Sequence, residues 1–185
     1  MSMKKEKIED VQIDYGIVFT NYGETDQVKL GPVRGGGEFS AEGKIQDIEF
    51  DGNNGKSKGA QIYESIDAAL NCVVLDTSIL SLSQAMPFAT YDDTLKTLSC
   101  TSANLGIIPD AAYLKNVTMF CKTVKGDYRK ITLFNAMNEA KFAFKAEPKK
   151  QGEVSLEYAA HWDFTDDAAE LFTVETIAAI VDPIV

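Results

Sequence analysis

A long run with a two-residue period constrains this chain more than any other feature. Between Ala60 and Leu75 apolar and polar residues alternate: Ile62, Ile66, Ala68, Leu70, Cys72 and Val74 at even positions, Gln61, Ser65, Asp67 and Asn71 at odd ones. Successive side chains of a strand point to opposite faces, so this pattern predicts one long strand with a single buried face. Glu64 is the one exception among the even positions.

Other strand signals surround this run, and together they predict a mainly β fold. Strands are expected at 15–20, 27–30 and 38–50, with Gly43 as a bend, then around Val117, Met119 and Cys121, and at 128–134 after the turn Lys125-Gly126-Asp127. Two glycine-rich stretches are expected to be loops, namely 31–37 and the polar connection 51–59.

A late hairpin over 139–163 is predicted from two alternating segments. Ala140, Phe142, Phe144 and Ala146 form one apolar face, and Val154, Leu156, Tyr158, Ala160 and Trp162 form the other. One register places Lys145 opposite Glu153, Lys141 opposite Glu157 and Phe142 opposite Leu156. It pairs opposite charges on one face and apolar groups on the other.

One helix is predicted after the long strand. Asp76, Thr77 and Ser78 are capping residues, and Pro87 ends the helix because the residue before a proline is pushed out of the helical region. The apolar stripe would comprise Ile79, Leu80, Leu82 and Met86. Residues 90–113 show no period and are expected to be a surface loop or lid.

The length of 185 residues suits a single domain, 1–185, with 1–11 as an N-terminal arm and 173–185 as a C-terminal tail. No apolar run is long enough to cross a bilayer, so no membrane partner is expected. The charged first ten residues lack the apolar core of a signal peptide, and we expect synthesis in the cytosol.

The net charge of −10 argues against binding nucleic acid through phosphate neutralisation. The charge is uneven: residues 115–150 carry nine Lys or Arg and three Asp or Glu, and residues 151–185 carry eight acidic and no basic residues. These are either ordinary solvated faces or surfaces through which the basic stretch of one subunit meets the acidic tail of another.

Motifs for cofactor chemistry fail on their spacing. Gly55-Lys56-Ser57 resembles the end of a phosphate loop, but Phe50 stands where the first glycine is needed and a strand follows. Asp51, Asn53 and Asn54 suggest a calcium loop, but Ile62 occupies the position of its bidentate glutamate. Gly35-Gly36-Gly37 lacks the flanking elements of a dinucleotide turn. No cofactor is predicted.

Catalytic and metal-binding groups are equally sparse. His161 is the one histidine, no serine lies in a nucleophile elbow, and Asp166-Asp167 is more typical of a helical turn than of an acid–base pair. Cys72, Cys100 and Cys121 have neither disulfide nor zinc spacing and are expected to be small buried hydrophobes. The sequence therefore predicts no enzyme.

The order of landmarks resembles the major tail, or tail tube, proteins of long-tailed bacteriophages over roughly residues 12–175. These landmarks are a Tyr-Gly strand, a glycine cluster before Glu38-Phe39, Asp51-Gly52 and Gly59 before the long strand, Met86-Pro87, Trp162-Asp163 and Leu171-Phe172-Thr173-Val174.

The resemblance implies a β-sandwich or split β-barrel with one flanking α-helix. Its subunits would form hexameric rings with a continuous inner β-barrel, and stacked rings would make the tube through which DNA passes. It implies a virion tail protein made in the host bacterial cytoplasm. Implied partners are other copies of the chain, the tape measure, baseplate or tail tip and terminator proteins, and transient DNA in the lumen. The same resemblance leaves open an alternative, the tube protein of a contractile bacteriocin or of a secretion apparatus such as type VI.

The residues expected at subunit or ring-stacking contacts are Asp51, Asn53, Asn54, Lys56, Lys58, Lys141, Lys145, Glu153, Glu157, Ile180 and Ile184. The alternative from another class is a monomeric β-sandwich binding module. Tyr63, Tyr113 or Trp162 would form its binding platform.

Overall fold

The computed structural model describes residues 8–13, 16–52, 55–143, 151–166 and 168–181. They form two antiparallel sheets that enclose one core, with helix α1 (Ile79–Ala85) against it. The mainly β sandwich predicted from the sequence is confirmed, and the described sheets do not close into a barrel.

The first sheet has the strand order β2-β1-β7-β8-β10. Its strands are β1 (Ile17–Thr20), β2 (Val28–Lys29), β7 (Leu114–Lys122), β8 (Tyr128–Asn138) and β10 (Phe172–Ile177). The strands predicted at 15–20, 27–30 and 128–134 are therefore present. The predicted C-terminal tail begins within β10, whose residues pair with β8.

The second sheet has the order β3-β4-β9, formed by β3 (Val33–Asp47), β4 (Gln61–Val74) and β9 (Val154–Ala159). The end of β8 joins it, because Met137 and Asn138 pair with Ala159 and Tyr158. Asn135 adopts a positive φ of 46° just before this crossing, a conformation that asparagine tolerates better than most residues. This bend lets one strand serve both sheets.

The core lies between the sheets and draws on both. Its fully buried members include Val18, Val117 and Leu133 from the first sheet, and Leu70 and Tyr158 from the second. Burial raises the pKa of the Tyr158 hydroxyl well above its ordinary value. The long predicted strand is confirmed as β4, whose buried even positions begin at Ala68.

The prediction of a loop over 31–37 is wrong, because the glycine cluster lies inside β3. Gly35 and Gly36, with φ of 75° and 82°, are extra residues between the pairs Arg34↔Val73 and Gly37↔Cys72. They form an irregularity of the bulge type, which needs positive φ and bends the strand without ending it. Composition alone does not separate such a bulge from a loop.

The predicted register of the late hairpin is also wrong. Glu139, rather than Lys141, lies opposite Glu157, since its N–H donates to the Glu157 carbonyl at 2.9 Å. The described residues after Asn138 leave the strand, and β9 pairs mainly with β4. Phe144 and Lys145 lie outside the described residues. A shift of two residues preserves the apolar face, so alternation does not determine this register.

On the predicted apolar face of the hairpin, the fully buried side chains are those that lie in β9. Val154, Leu156 and Tyr158 are buried as expected, whereas Phe142 is half-buried and Trp162 is exposed. Trp162 lies beyond the end of β9, outside the paired strand. Truncating Phe142 will therefore cost less than truncating a fully buried ring.

The predicted helix is confirmed as α1, together with its cap. The Ser78 side chain accepts a hydrogen bond from Ser81 N at 3.3 Å, and Met86 ends the helix before Pro87. Hydrogen bonds from Ser81 Oγ and Ser78 N lower the pKa of the Asp76 carboxyl. The face differs from the predicted stripe: Ser81 and Ala85 are buried, Leu82 packs on the core and Leu80 is exposed.

Replacing Ser78 by alanine is expected to lower the free energy of unfolding by about 1 kcal/mol, because a helix N–H loses its side-chain acceptor. Urea unfolding followed by circular dichroism measures this change. Ser83→Ala is the matched control within α1, since Ser83 Oγ donates only to the Leu80 carbonyl. Equal effects of the two substitutions would show that the cap contributes nothing specific.

The segment expected to be irregular, 90–113, has local structure of its own. A small hairpin pairs β5 (Thr90–Asp92) with β6 (Thr97–Ser99), and two 3-10 turns follow at Ser102–Asn104 and Asp110–Ala112. None of its apolar side chains belongs to the core cluster. The segment is thus an ordered excursion on the surface.

The three cysteines divide into two buried and one exposed, so the expectation of burial is wrong for Cys100. Cys100 follows β6 in the excursion, outside the core. Burial raises the pKa of Cys72 to about 12 and also raises that of Cys121.

In the folded protein only Cys100 should react rapidly with a thiol reagent at pH 8, because the thiolate is the reactive species. Titration with an aromatic disulfide should give one fast thiol, and urea should release the other two. A Cys100→Ser variant with an unchanged fast phase would contradict the burial of Cys72 and Cys121.

Candidate assembly surface

The distal half of the β3–β4 hairpin extends beyond the core. Its described residues, 43–52 and 55–66, are called the arm and are distinct from the predicted N-terminal arm 1–11. The proximal half is held by core contacts such as Phe39 against Phe172, with ring centroids 5.3 Å apart. Beyond Ala41 every described residue of β3 is exposed, and so are nearly all of the first seven residues of β4. The arm is therefore a two-stranded ribbon with solvent on both faces.

Apolar side chains continue along the arm on the face that is buried nearer the core. The cross-strand pairs Ala41↔Ala68 and Gly43↔Ile66 lie on the same face as the buried pair Phe39↔Leu70, further from the core. The next pair on that face is Ile45↔Tyr63, because Glu64 is an extra residue in β4. Ile45 is 54% and Tyr63 67% exposed. This face has the composition of a core but no described partner.

The Tyr63 ring lies across Gly43, and a Cβ at Gly43 would come within 2.8 Å of the ring. The glycine thus lets the ring lie flat on the ribbon. Lys44 pairs with Glu64 at 2.7 Å, and Gln61 donates to Asp47 at 2.6 Å. These contacts hold the two strands together where no core supports them.

The end of the arm carries several of the residues expected at subunit contacts. Asp51, Lys56 and Lys58 are exposed, as expected for a polar connection, while Asn53 and Asn54 lie outside the described residues. Among the ion pairs of the described residues, none involves either lysine. Phe50 and Ile62 add further exposed apolar area.

No ion pair among the described residues joins two of the remaining predicted contact residues. Glu153 forms an ion pair with Arg34 of β3, a partner that the sequence prediction missed. Lys141 and Glu157 are exposed, Ile180 is partly buried, and Lys145 and Ile184 lie outside the described residues. Glu153 and Arg34 are far apart in sequence, so only the sheet pairing brings them together.

Part of the basic stretch 115–150 is neutralised within the chain. Lys115 pairs with Glu24 at 2.5 Å, which raises the lysine pKa through a hydrogen bond and charge attraction. The other pairs are Lys125–Asp127 at 3.3 Å, Arg129–Asp10 at 3.2 Å and Lys130–Glu175 at 2.8 Å. Four of the nine basic residues therefore have partners without a second subunit.

A second group of exposed apolar side chains lies away from the arm. Leu105 and Ile107 in the excursion are 82% and 100% exposed, and Phe164 after β9 is 95% exposed. The Tyr113 and His161 rings meet edge to face at 5.0 Å, so the end of the excursion lies beside the chain that follows β9. Sequence reasoning missed these exposed apolar side chains, since they have no period.

The single histidine has a structural role at the bend of β8. Its Nδ1 lies 3.1 Å from the Asn135 carbonyl oxygen and its Nε2 lies 3.2 Å from Glu139 Oε1. Both contacts tie the end of β9 to the bend. Among the described residues, neither ring nitrogen of His161 contacts a serine or a cysteine.

The described residues offer little for small-molecule chemistry. An open cavity of about 360 Å³ lies over the glycine bulge and is lined by Arg34, Glu38, Asn71 and Glu157 among others. No group of three or more His, Cys, Asp or Glu in the described part of the chain is placed to hold a metal ion. Within the same residues, no helix is long and apolar enough to cross a membrane.

Comparison with solved structures shows a distant structural likeness. No protein-family model and no curated protein sequence matches the chain. A chain in the cryo-EM structure of the anti-feeding prophage baseplate, 6-fold symmetrised, is similar with a TM-score of 0.43 and 14% sequence identity. The match covers 85% of this chain and 92% of that chain. A likeness this distant assigns no function.

Proposed function

We propose that this chain is a structural, self-assembling protein, the tail tube subunit of a long-tailed bacteriophage or a phage-like particle. The observation that carries the proposal is the arm, a ribbon whose core-like face has no partner within the described chain. The role is that of a building block, with no catalysis and no cofactor.

Exposed apolar area on a ribbon without a core is unfavourable in water, and contiguous patches of this kind mark interaction sites. Ile45, Tyr63 and Ile66 on one side, with Ile62 and Phe50 nearby, would be covered if a second copy packed on the arm. A repeated contact of this kind in every subunit supports assembly.

The sheet edges support the same proposal. In the described residues β3 pairs only with β4, so one edge of this fifteen-residue strand is open. Such an edge is a template for pairing with another chain, and proteins usually block it. Closure of six copies into a ring would pair these edges and leave none open.

DNA passage through the tube is part of the proposal. A chain with a net charge of −10 would give an acidic or neutral wall that repels phosphates, so DNA could slide without binding tightly. The partners would be other copies of the chain and the tape measure, tip or baseplate, and terminator proteins. Synthesis would take place in the host bacterial cytoplasm and the final location would be the virion tail.

The test is the assembly state of the purified chain. Negative-stain microscopy and analytical ultracentrifugation over a range of concentrations should show rings or tubes. A monodisperse monomer at the highest concentration, also in the presence of the terminator protein, would overturn the proposal and favour the monomeric binding module.

A further inference from the structure

We infer that the outer face of the second sheet, turned away from the core, forms the wall of the lumen. This inference rests on the proposed function, because only an assembled tube has a lumen, and it goes further by assigning one sheet face to it. The outer face comprises the residues that alternate with the core-side ones and lie outside the arm: Arg34, Glu38, Ser40, Glu42, Asp67, Ala69, Asn71, Val73, Ser155, Glu157 and Ala159.

The two sheets differ in how far their own chain covers the side turned away from the core. On the first sheet Phe19, Thr118 and Phe120 alternate with core residues, yet they are only 3%, 0% and 1% exposed. The centroid of the Tyr22 ring lies 5.5 Å from that of Phe19 and 5.0 Å from that of Phe120, and the Tyr22 hydroxyl donates to the Val181 carbonyl. The chain after β1 and after β10 therefore covers the first sheet.

On the second sheet the outer face stays open to solvent. Its members in β3 are all exposed, and so are Asp67, Ser155 and Glu157, whereas the other members in β4 and β9 are half-buried. The second sheet is thus the one that can supply a bare and continuous wall.

The composition of the outer face is that of a wetted wall rather than of a subunit contact. The buried centres of contacts are enriched in aromatic residues and methionine and depleted in glutamate, aspartate, serine and alanine. Here acidic and small residues predominate, and the half-buried Val73 is the largest apolar side chain. Burial against another protein would gain little free energy and would require desolvation of carboxylates.

The charge of the outer face suits a polyanion that must pass without binding. Glu42 lies directly opposite Asp67, and like charges in such a pair destabilise a sheet. Glu38 and Glu157 flank Asn71 in another row across three strands. None of these four carboxylates forms an ion pair among the described residues, and the one basic residue of the face is already paired within the chain. The face therefore repels phosphates.

Ring closure determines the direction in which the outer face points. The open edge of β3 belongs to the second sheet, so pairing of that edge with the next copy would continue this sheet around the ring. The first sheet packs against the core side of the second, as in the contact of Phe39 with Phe172. With that side filled, the outer face is left to enclose the channel. The opposite orientation would put the outer face on the exterior of the tube.

Thiol labelling of assembled tubes tests the orientation. All chains carry Cys100→Ser, and one variant adds Ser40→Cys and another Ser155→Cys, at exposed positions in two strands of the outer face. We expect a small maleimide to react at both positions in tubes, and a maleimide attached to a protein wider than the lumen to react there only in free subunits. Lys29→Cys in β2 is the control on the first sheet, and both reagents should reach it in tubes.

The outcomes separate this inference from the proposed function. Labelling of positions 40 and 155 in tubes by the wide reagent would place the outer face on the exterior, and protection from both reagents would make it a subunit contact. Either result overturns this inference and leaves the proposed function standing. Absence of particles from the wild-type chain, also with the terminator protein, would overturn both.

Charge reversal gives an independent readout. Glu42→Lys with Asp67→Lys should let tubes retain short duplex DNA that a nuclease cannot reach, and added salt should release this DNA. Wild-type tubes should retain none. Asp110→Lys with Glu170→Lys is the matched control, because both residues are exposed and lie outside the second sheet, so any DNA bound there should be digested. Digestion of the DNA held by the first variant, or its failure to retain any, would contradict the inference.

Discussion

Replacing Ile45 and Tyr63 by threonine is expected to leave the subunit folded and to weaken its assembly strongly. Both side chains are more than half exposed in the single chain, and threonine keeps the strand propensity of the arm. In an assembled contact each would be buried, which contributes about 1.5–3 kcal/mol for a large aliphatic side chain and a similar amount for a tyrosine. The concentration needed for assembly should therefore rise at least about 100-fold.

Sedimentation velocity of the double variant against the wild type measures this effect. Val124→Thr is the matched control, because Val124 is also exposed but lies in the turn between β7 and β8. The control should assemble like the wild type. If the double variant assembles normally, the arm is not a subunit contact.

Truncating Leu133 to alanine is expected to give the largest loss of subunit stability. Leu133 is fully buried in β8, the strand that pairs with both β7 and β10 and then joins the second sheet. The substitution removes buried methyl groups and leaves a cavity that the surrounding strands fill only partly. The free energy of unfolding should fall by about 2–5 kcal/mol.

Urea unfolding at protein concentrations below assembly isolates this effect from subunit contacts. Leu95→Ala, at a leucine that is largely exposed in the excursion, should change the free energy by less than about 0.5 kcal/mol. A loss at Leu95 as large as that at Leu133 would mean that the excursion is part of the cooperative core.

Ion pairs within the chain already engage part of the basic stretch 115–150. Lys115, Lys125, Arg129 and Lys130 already contact carboxylates of their own chain. Of the other five basic residues in this stretch, the structure describes Lys122 and Lys141, and contact of the basic stretch with acidic groups of a second subunit stays a prediction. Exposed pairs contribute little each, so moderate salt should slow assembly without abolishing it.

Local physics determined the parts of the fold that could be predicted from the sequence. The alternation of β4 reflects the two-residue period of a strand, and it predicted a strand of nearly the observed length. Ser78 and Pro87 predicted the limits of α1, because capping and the proline restriction act within a few residues. The turn at Gly126 was visible in the same way.

Contacts between distant residues decided the rest. The glycine cluster became a bulge because β4 continues to pair on both sides of it. The position of β9 was settled by its pairing with β4. Arg34 of β3, the strand on the other side of β4, also forms an ion pair with Glu153 just before β9. Alternation tells which side chains share a face, but it does not tell whether a second sheet covers that face. Only the tertiary structure shows that cover ends near Phe39 and Phe172, which leaves Ile45 and Tyr63 exposed on the arm.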